Sequence, residues 1–172
     1  ADNEDSWTQI VTGSFDPNAI HVDRETVLLS ELPTGPDLEY VILFQNTGTD
    51  TAFTVRVKDP LPENGESTSF RFLSASHPVE LRYEEVGEVM WFDHEDILLP
   101  DSTTDEPASH GYIRCRMKPL TTLAVGDSIQ NVASIFFDFN LPVITNTAVT
   151  EITINTLVNE GEHPGHLQAY PN

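Results

Sequence analysis

Four oxygen-bearing side chains stand out by type and spacing. Asp16 and Asn18 lie two apart in Ser-Phe-Asp-Pro-Asn, and Asp138 and Asn140 lie two apart in Phe-Asp-Phe-Asn-Leu-Pro. In extended chain that spacing puts both side chains of a pair on one face. Carboxylate, amide and carbonyl oxygens are the ligands a hard cation such as Ca2+ accepts. One expectation is therefore a calcium site shared by the two turns, provided the fold brings them to the same end. The competing reading is local: Asp and Asn bond nearby backbone N–H groups and so organise turns without an ion. The stretch from Asp16 to Val27 is no EF-hand loop, since it lacks the Gly and the terminal Glu of that motif.

Other chemistries find less support. Of the six histidines (His21, His77, His94, His110, His163, His166) only the last two are close in sequence, no His-Glu-x-x-His occurs, and Cys115 is the single cysteine. Cys115 alternates with Arg114 and Arg116, so it shares a face with Ile113 and Met117 and reads as a buried thiol. No Gly-x-Ser-x-Gly elbow is present. Acidic neighbours such as Glu84–Glu85 and Asp93–Glu95–Asp96 are what 28 acidic residues produce by chance, so no enzyme is expected. An intramolecular Lys–Asn isopeptide bond needs a buried lysine, yet Lys58 and Lys118 both alternate away from the apolar face of their strands. Trp91 is the remaining candidate. In Val89–His94 one parity carries Trp91 and the other Phe92. One of the two rings must then face away from the core, and an outward Trp91 would suit a carbohydrate or protein ligand.

The elements that position these residues read as short strands. Leu38, Tyr40, Ile42 and Phe44 share one face, and Phe53, Val55 and Val57 resume the alternation after Asn46-Thr-Gly-Thr-Asp50, predicting a hairpin. Further strands are expected over 70–73, 79–83, 89–92, 112–117, 129–139 and about 143–154, with a short first strand near Trp7, Ile10 and Val11. No helical stripe exceeds about two turns. About nine strands with frequent turn signals predict an all-β, Ig-like antiparallel Greek-key β-sandwich. It would fill residues 1–156, with an acidic N-terminal arm and with 157–172 as a flexible linker. Formal charge is −20, from 28 acidic against 8 basic side chains. That charge disfavours nucleic acid and anionic membrane surfaces, which need a basic footprint. No apolar run approaches the ~20 residues that span a bilayer. No signal peptide is visible, so export would use one that has been removed or lies outside the sequence.

The segments VTGSFDPN, EYVILFQNTGT, VKDPLP, FLSASHPVE, LPDSTTDEPASHGYIRCRMKP and IFFDFNLPVITNT, taken in order, resemble an Ig-like "conserved repeat"-type domain. Such domains are found before the type IX secretion C-terminal sorting domain of Bacteroidetes secreted and surface proteins. Ala19 departs from relatives that carry an acidic residue there. The final residues LQAYPN look like the approach to a sorting domain that is itself absent. The resemblance implies a secreted or cell-surface location and a non-catalytic spacer or adhesion module whose partners are neighbouring domains of the same polypeptide. Alternatives from other classes are a carbohydrate- or protein-binding module of a larger secreted enzyme and a strand-exchanging fibre subunit.

Overall fold

The computed structural model describes residues 16–155. The expected strand near Trp7, the acidic arm and the linker of residues 157–172 lie outside the described residues.

Among the described residues twelve strands form three sheets. β1 (Ala19–Val22), β3 (Leu38–Gln45), β8 (His110–Pro119) and β5 (Gly65–Ala75) make the first, in the order β1-β3-β8-β5. The second runs β11 (Val143–Ile144), β10 (Ser134–Phe137), β4 (Val55–Pro60), β7 (Val89–His94), β6 (Glu80–Glu84). β2 (Thr26–Leu28), β12 (Ala148–Thr153) and β9 (Ser128–Asn131) form a small third sheet. The two large sheets pack face to face as an Ig-like β-sandwich, their strict alternation supplying the inner faces. Tyr40, Ile42, Phe44, Ile113, Cys115 and Met117 of the first sheet meet Val55, Val57, Phe92 and Ile135 of the second in one buried cluster. Cys115 is buried as expected, and desolvation raises its thiol pKa well above the ordinary value. Lys58 and Lys118 occupy the outward parity, each flanked by inward residues.

The hairpin expected across Asn46–Asp50 does not form. β3 already has β1 on one edge and β8 on the other, so no edge remains for β4, which joins the opposite sheet. Asn46 fixes that crossing: its Nδ2 donates to the carbonyls of Asp50 (2.9 Å) and Leu99 (3.0 Å). The expected strand over 129–139 also divides, β9 joining the third sheet and β10 the second. Ala133 marks the switch. Its N–H donates to Thr145 Oγ1 (3.0 Å), and its carbonyl accepts from the Thr145 N–H (3.0 Å).

Gly111 exists for packing. A Cβ there would lie 2.1 Å from the Phe44 ring, so only glycine lets the ring lie flat on β8.

The third sheet also orients the ends of the described chain. β2 and β12 pair in parallel, with Thr26 opposite Glu151 and Leu28 opposite Thr153. Upstream, Asn146 bonds both the N–H and the carbonyl of Ile20. Residues 20–28 therefore travel beside 146–153 in the same direction. The chain enters at the pole holding Gln45 and Asn46, and β12 ends at the opposite pole.

Candidate functional site

At the entry pole the two oxygen-bearing turns perform different tasks. Asp16 Oδ1 accepts from the Asn18 N–H (3.0 Å), and the buried Asn18 Oδ1 accepts from the Gln45 N–H (3.2 Å), anchoring the start of β1 to the end of β3. Asp138 sits in the left-handed region at φ +52°, where a short polar side chain is tolerated. Its Oδ1 accepts from the N–H groups of Phe53 (2.9 Å) and Thr54 (2.8 Å), and its own N–H donates to the Thr54 carbonyl (3.0 Å). Asn140 closes the same turn through its N–H to Phe137 O (3.1 Å). Each aspartate thus accepts from backbone donors of its own pole. Among the described residues no group of three or more His, Cys, Asp or Glu is placed to hold a metal ion.

What the Asp138 turn displays is apolar. Phe139 is fully exposed and Leu141 is 89% exposed. Phe53, tied to Asp138, is 58% exposed, and Leu98, next to the Ile97 that donates to the Phe53 carbonyl, is 57% exposed. Leu98 also has positive φ, +50°. A branched residue held in that conformation with its side chain in water gains nothing for folding. Four large exposed apolar side chains thus come from three loops that hydrogen bonds tie together. Large apolar side chains exposed on neighbouring loops are a feature of interaction sites. The sequence carried a signal for it, two apolar residues inserted between the polar residues of a turn, but only the fold adds Phe53 and Leu98.

Trp91 lies on the outer face of the second sheet, half-buried, while Phe92 takes the core. Register places Lys58 and Arg82 directly across from it on the two flanking strands. The Lys58 ammonium lies 5.6 Å and the Arg82 guanidinium 4.8 Å from the indole centroid, and Phe136 is 6.1 Å away. The indole Nε1 donates to Glu84 Oε2 (3.0 Å). Asp93 reaches Arg56 (3.8 Å) and Arg82 (3.5 Å). The indole is therefore covered in part by this chain's own cations rather than left bare. His163, His166 and Trp7 lie outside the described residues.

One polar cluster escaped sequence reasoning. Asp59 follows Val55 and Val57 on the inward parity of β4 and is 1% exposed. It meets the buried Asn131 of β9, and Tyr40 of β3 lies within its field. Asn131 Oδ1 and Tyr40 Oη are buried without a hydrogen-bond partner, while the Asn131 side chain lies close enough to Asp59 to favour its charged form. Burial pushes the Asp59 pKa up to about 7, and burial together with the Asp59 charge raises that of Tyr40.

With this geometry the relatives can be placed. Residues 16–151 match a domain of unknown function (DUF7619). The chain belongs to the DUF7619 family. No curated protein matches it. Among solved structures, this DUF7619 domain resembles the N-terminal domain of a Streptococcus gordonii adhesin: TM-score 0.52 and 13% identity, covering 81% of this chain and 33% of that one. The major pilin subunit of Bacillus cereus gives TM-score 0.51 at 14% identity, covering 78% of this chain and 40% of that one. Two domains of a Corynebacterium diphtheriae major pilin give 0.50 at 14%, covering 77% of this chain and 51% of that one. This DUF7619 domain thus spans between a third and a half of these longer structures. At such identities the likeness establishes the fold, that of Ig-like domains of bacterial surface proteins.

Proposed function

We infer that this domain is a non-catalytic, tension-bearing spacer of a secreted or cell-surface protein, linking neighbouring domains of one polypeptide. The observation that carries this reading is the parallel run of residues 20–28 beside 146–153, with the chain entering and leaving at opposite poles. Force applied through the two ends then acts along β1, β2 and β12. It loads their ladder bonds together in shear instead of breaking them one by one. The adhesin and pilin domains of like fold belong to surface proteins, which support the location. Export through type IX secretion, in a Bacteroidetes host, is supported by the resemblance of the segments quoted above and of the final LQAYPN.

Single-molecule pulling tests this. Extension through Asp16 and Asn155 should need a several-fold higher force than extension through Asp16 and Gly48. The latter pair lies at one pole and would unzip β1 from β3. Equal forces in the two geometries would refute the spacer reading.

A second reading, adhesion to a protein partner, is favoured by the apolar tip of Phe53, Leu98, Phe139 and Leu141. The double variant Phe139→Ser with Leu141→Ser should leave the melting temperature unchanged while removing any protein contact made by the tip.

A further inference from the structure

The outer face of the first sheet carries a cleft that a regular ladder would not contain. On β5, Glu66 pairs with Lys118 and Arg71 with Arg116. Four residues of β5 therefore stand opposite the single Met117. A bulge of this size lifts backbone out of the ladder and re-aims side chains. Ser69 secures it, its hydroxyl donating to Glu66 O (2.6 Å) and accepting from the Lys118 N–H (2.8 Å). The result is a polar cleft of about 380 Å3 lined by Arg71, Arg116 and Lys118 together with Asp37 and Glu66.

The charge in this cleft is unusual for the molecule. Three of the 8 basic residues of a chain with net charge −20 line one hollow. The two acids offset part of that charge, and each has a partner of its own. Asp37 Oδ2 accepts from Arg116 Nη1 (3.0 Å) and Glu66 Oε1 accepts from Thr68 Oγ1 (3.3 Å). Arg71 is braced by its own bulge, Nη1 donating to the carbonyls of Phe70 (2.6 Å) and Thr68 (3.1 Å). Lys118 makes no ion pair among the described residues. Its side chain is held over Gly35, where a Cβ would lie 3.2 Å from Cδ and 3.5 Å from Nζ. Arg71 of β5 thus faces Arg116 and Lys118 of β8, the Arg116 fork shared with Asp37 and the Lys118 ammonium unpaired, an arrangement that suits an oxyanion: guanidinium N–H groups not already used can donate to its oxygens and the ammonium adds a point charge.

We propose that the β5 bulge cleft binds an oxyanion group, carboxylate, sulfate or phosphate, through Arg71, Arg116 and Lys118. The group could belong to a free ion or to an acidic polymer, and the two sources are separable. Titration of the whole chain at physiological ionic strength with inorganic sulfate, and in parallel with dextran sulfate against uncharged dextran, reads both arms by calorimetry. Saturation by sulfate alone assigns a small-ion site. Saturation only by dextran sulfate assigns a polymer-borne group. In either arm Lys118→Gln and Arg71→Gln should each weaken binding about tenfold, the loss of one charge-assisted contact. Lys58→Gln, on the opposite sheet, should leave binding unchanged and so controls for net charge. The site is overturned if neither probe binds, or if Lys58→Gln costs as much as Lys118→Gln. Matching melting temperatures for the variants would show that any loss is not misfolding.

Discussion

Asp59 of β4 and Asn131 of β9 meet inside the sandwich, joining the second sheet to the third through two buried polar side chains. Burial disfavours the charge on Asp59 and outweighs the Asn131 side chain, which favours that charge, while the nearby Tyr40 hydroxyl is buried without a partner. The desolvation wins, and the Asp59 pKa is pushed up to about 7. The sign follows. An unfolded Asp titrates near 3.9, so between about pH 4 and 7 the folded state holds more protons than the unfolded state. Stability therefore falls as pH rises through that window and levels off above it. Burial lowers the pKa of His94, which acts in the opposite sense: its contribution is lost as pH falls below about 6.5. Asp59→Asn keeps the shape and removes the titration. Denaturant melts of this variant should lose the decline between pH 4 and 7 and show a gain of a few kcal/mol at pH 8. An unchanged pH profile would refute the raised titration of Asp59.

Asp138 holds the apolar tip through hydrogen bonds to Phe53 and Thr54. Asp138→Ala should cost about 1–3 kcal/mol, since backbone donors lose their acceptor. Melting in calcium and in chelator separates the two readings of this residue. Equal losses identify a turn organiser, whereas a calcium-induced rise in Tm that vanishes in the variant identifies an ion ligand.

Trp91 and Arg82 face one another across β7 and β6 at 4.8 Å. A double-mutant cycle with Trp91→Ala and Arg82→Ala should give a coupling of about 0.5–1 kcal/mol, the size of an exposed cation–π contact. The intrinsic fluorescence of Arg82→Ala should shift with it, because the indole loses its cover. A coupling near zero would show the stack to be incidental.

Gly111→Ala should be among the most damaging single-atom additions in the domain. Its Cβ would meet the Phe44 ring at 2.1 Å, and that ring is fully buried. Overpacking of this kind costs about 1–3 kcal/mol or more. Pairing it with Phe44→Leu should recover part of the loss, and full additivity would disprove the clash.

Much of the fold was legible because strands write themselves in period two. Leu38 to Phe44 and Ile113 to Met117 show their inner faces by alternation alone. Local pattern also marked the turns at Asp16–Asn18 and Asp138–Asn140 and placed Cys115 in the core. Alternation, however, says which side chains share a face and not which strand lies alongside. The expected β3–β4 hairpin failed because both edges of β3 were taken by β1 and β8, a fact of long-range pairing. Asp59 stood on the inward parity of its strand, yet only the packing of β9 against β4 gives it Asn131 as neighbour. The same limit applies to the surface. Phe139 and Leu141 are visible as apolar residues in a turn, but Phe53 and Leu98 join them only when three loops meet at one pole. Alternation put either Trp91 or Phe92 outward, and only the fold turned Trp91 out. Its cover by Lys58 and Arg82 came from cross-strand register, and the cation cleft came from a bulge in β5 that no spacing in the chain announces. Sequence periodicity is a property of one strand, while sites are made where strands distant in the chain are brought together, and only tertiary structure decides that.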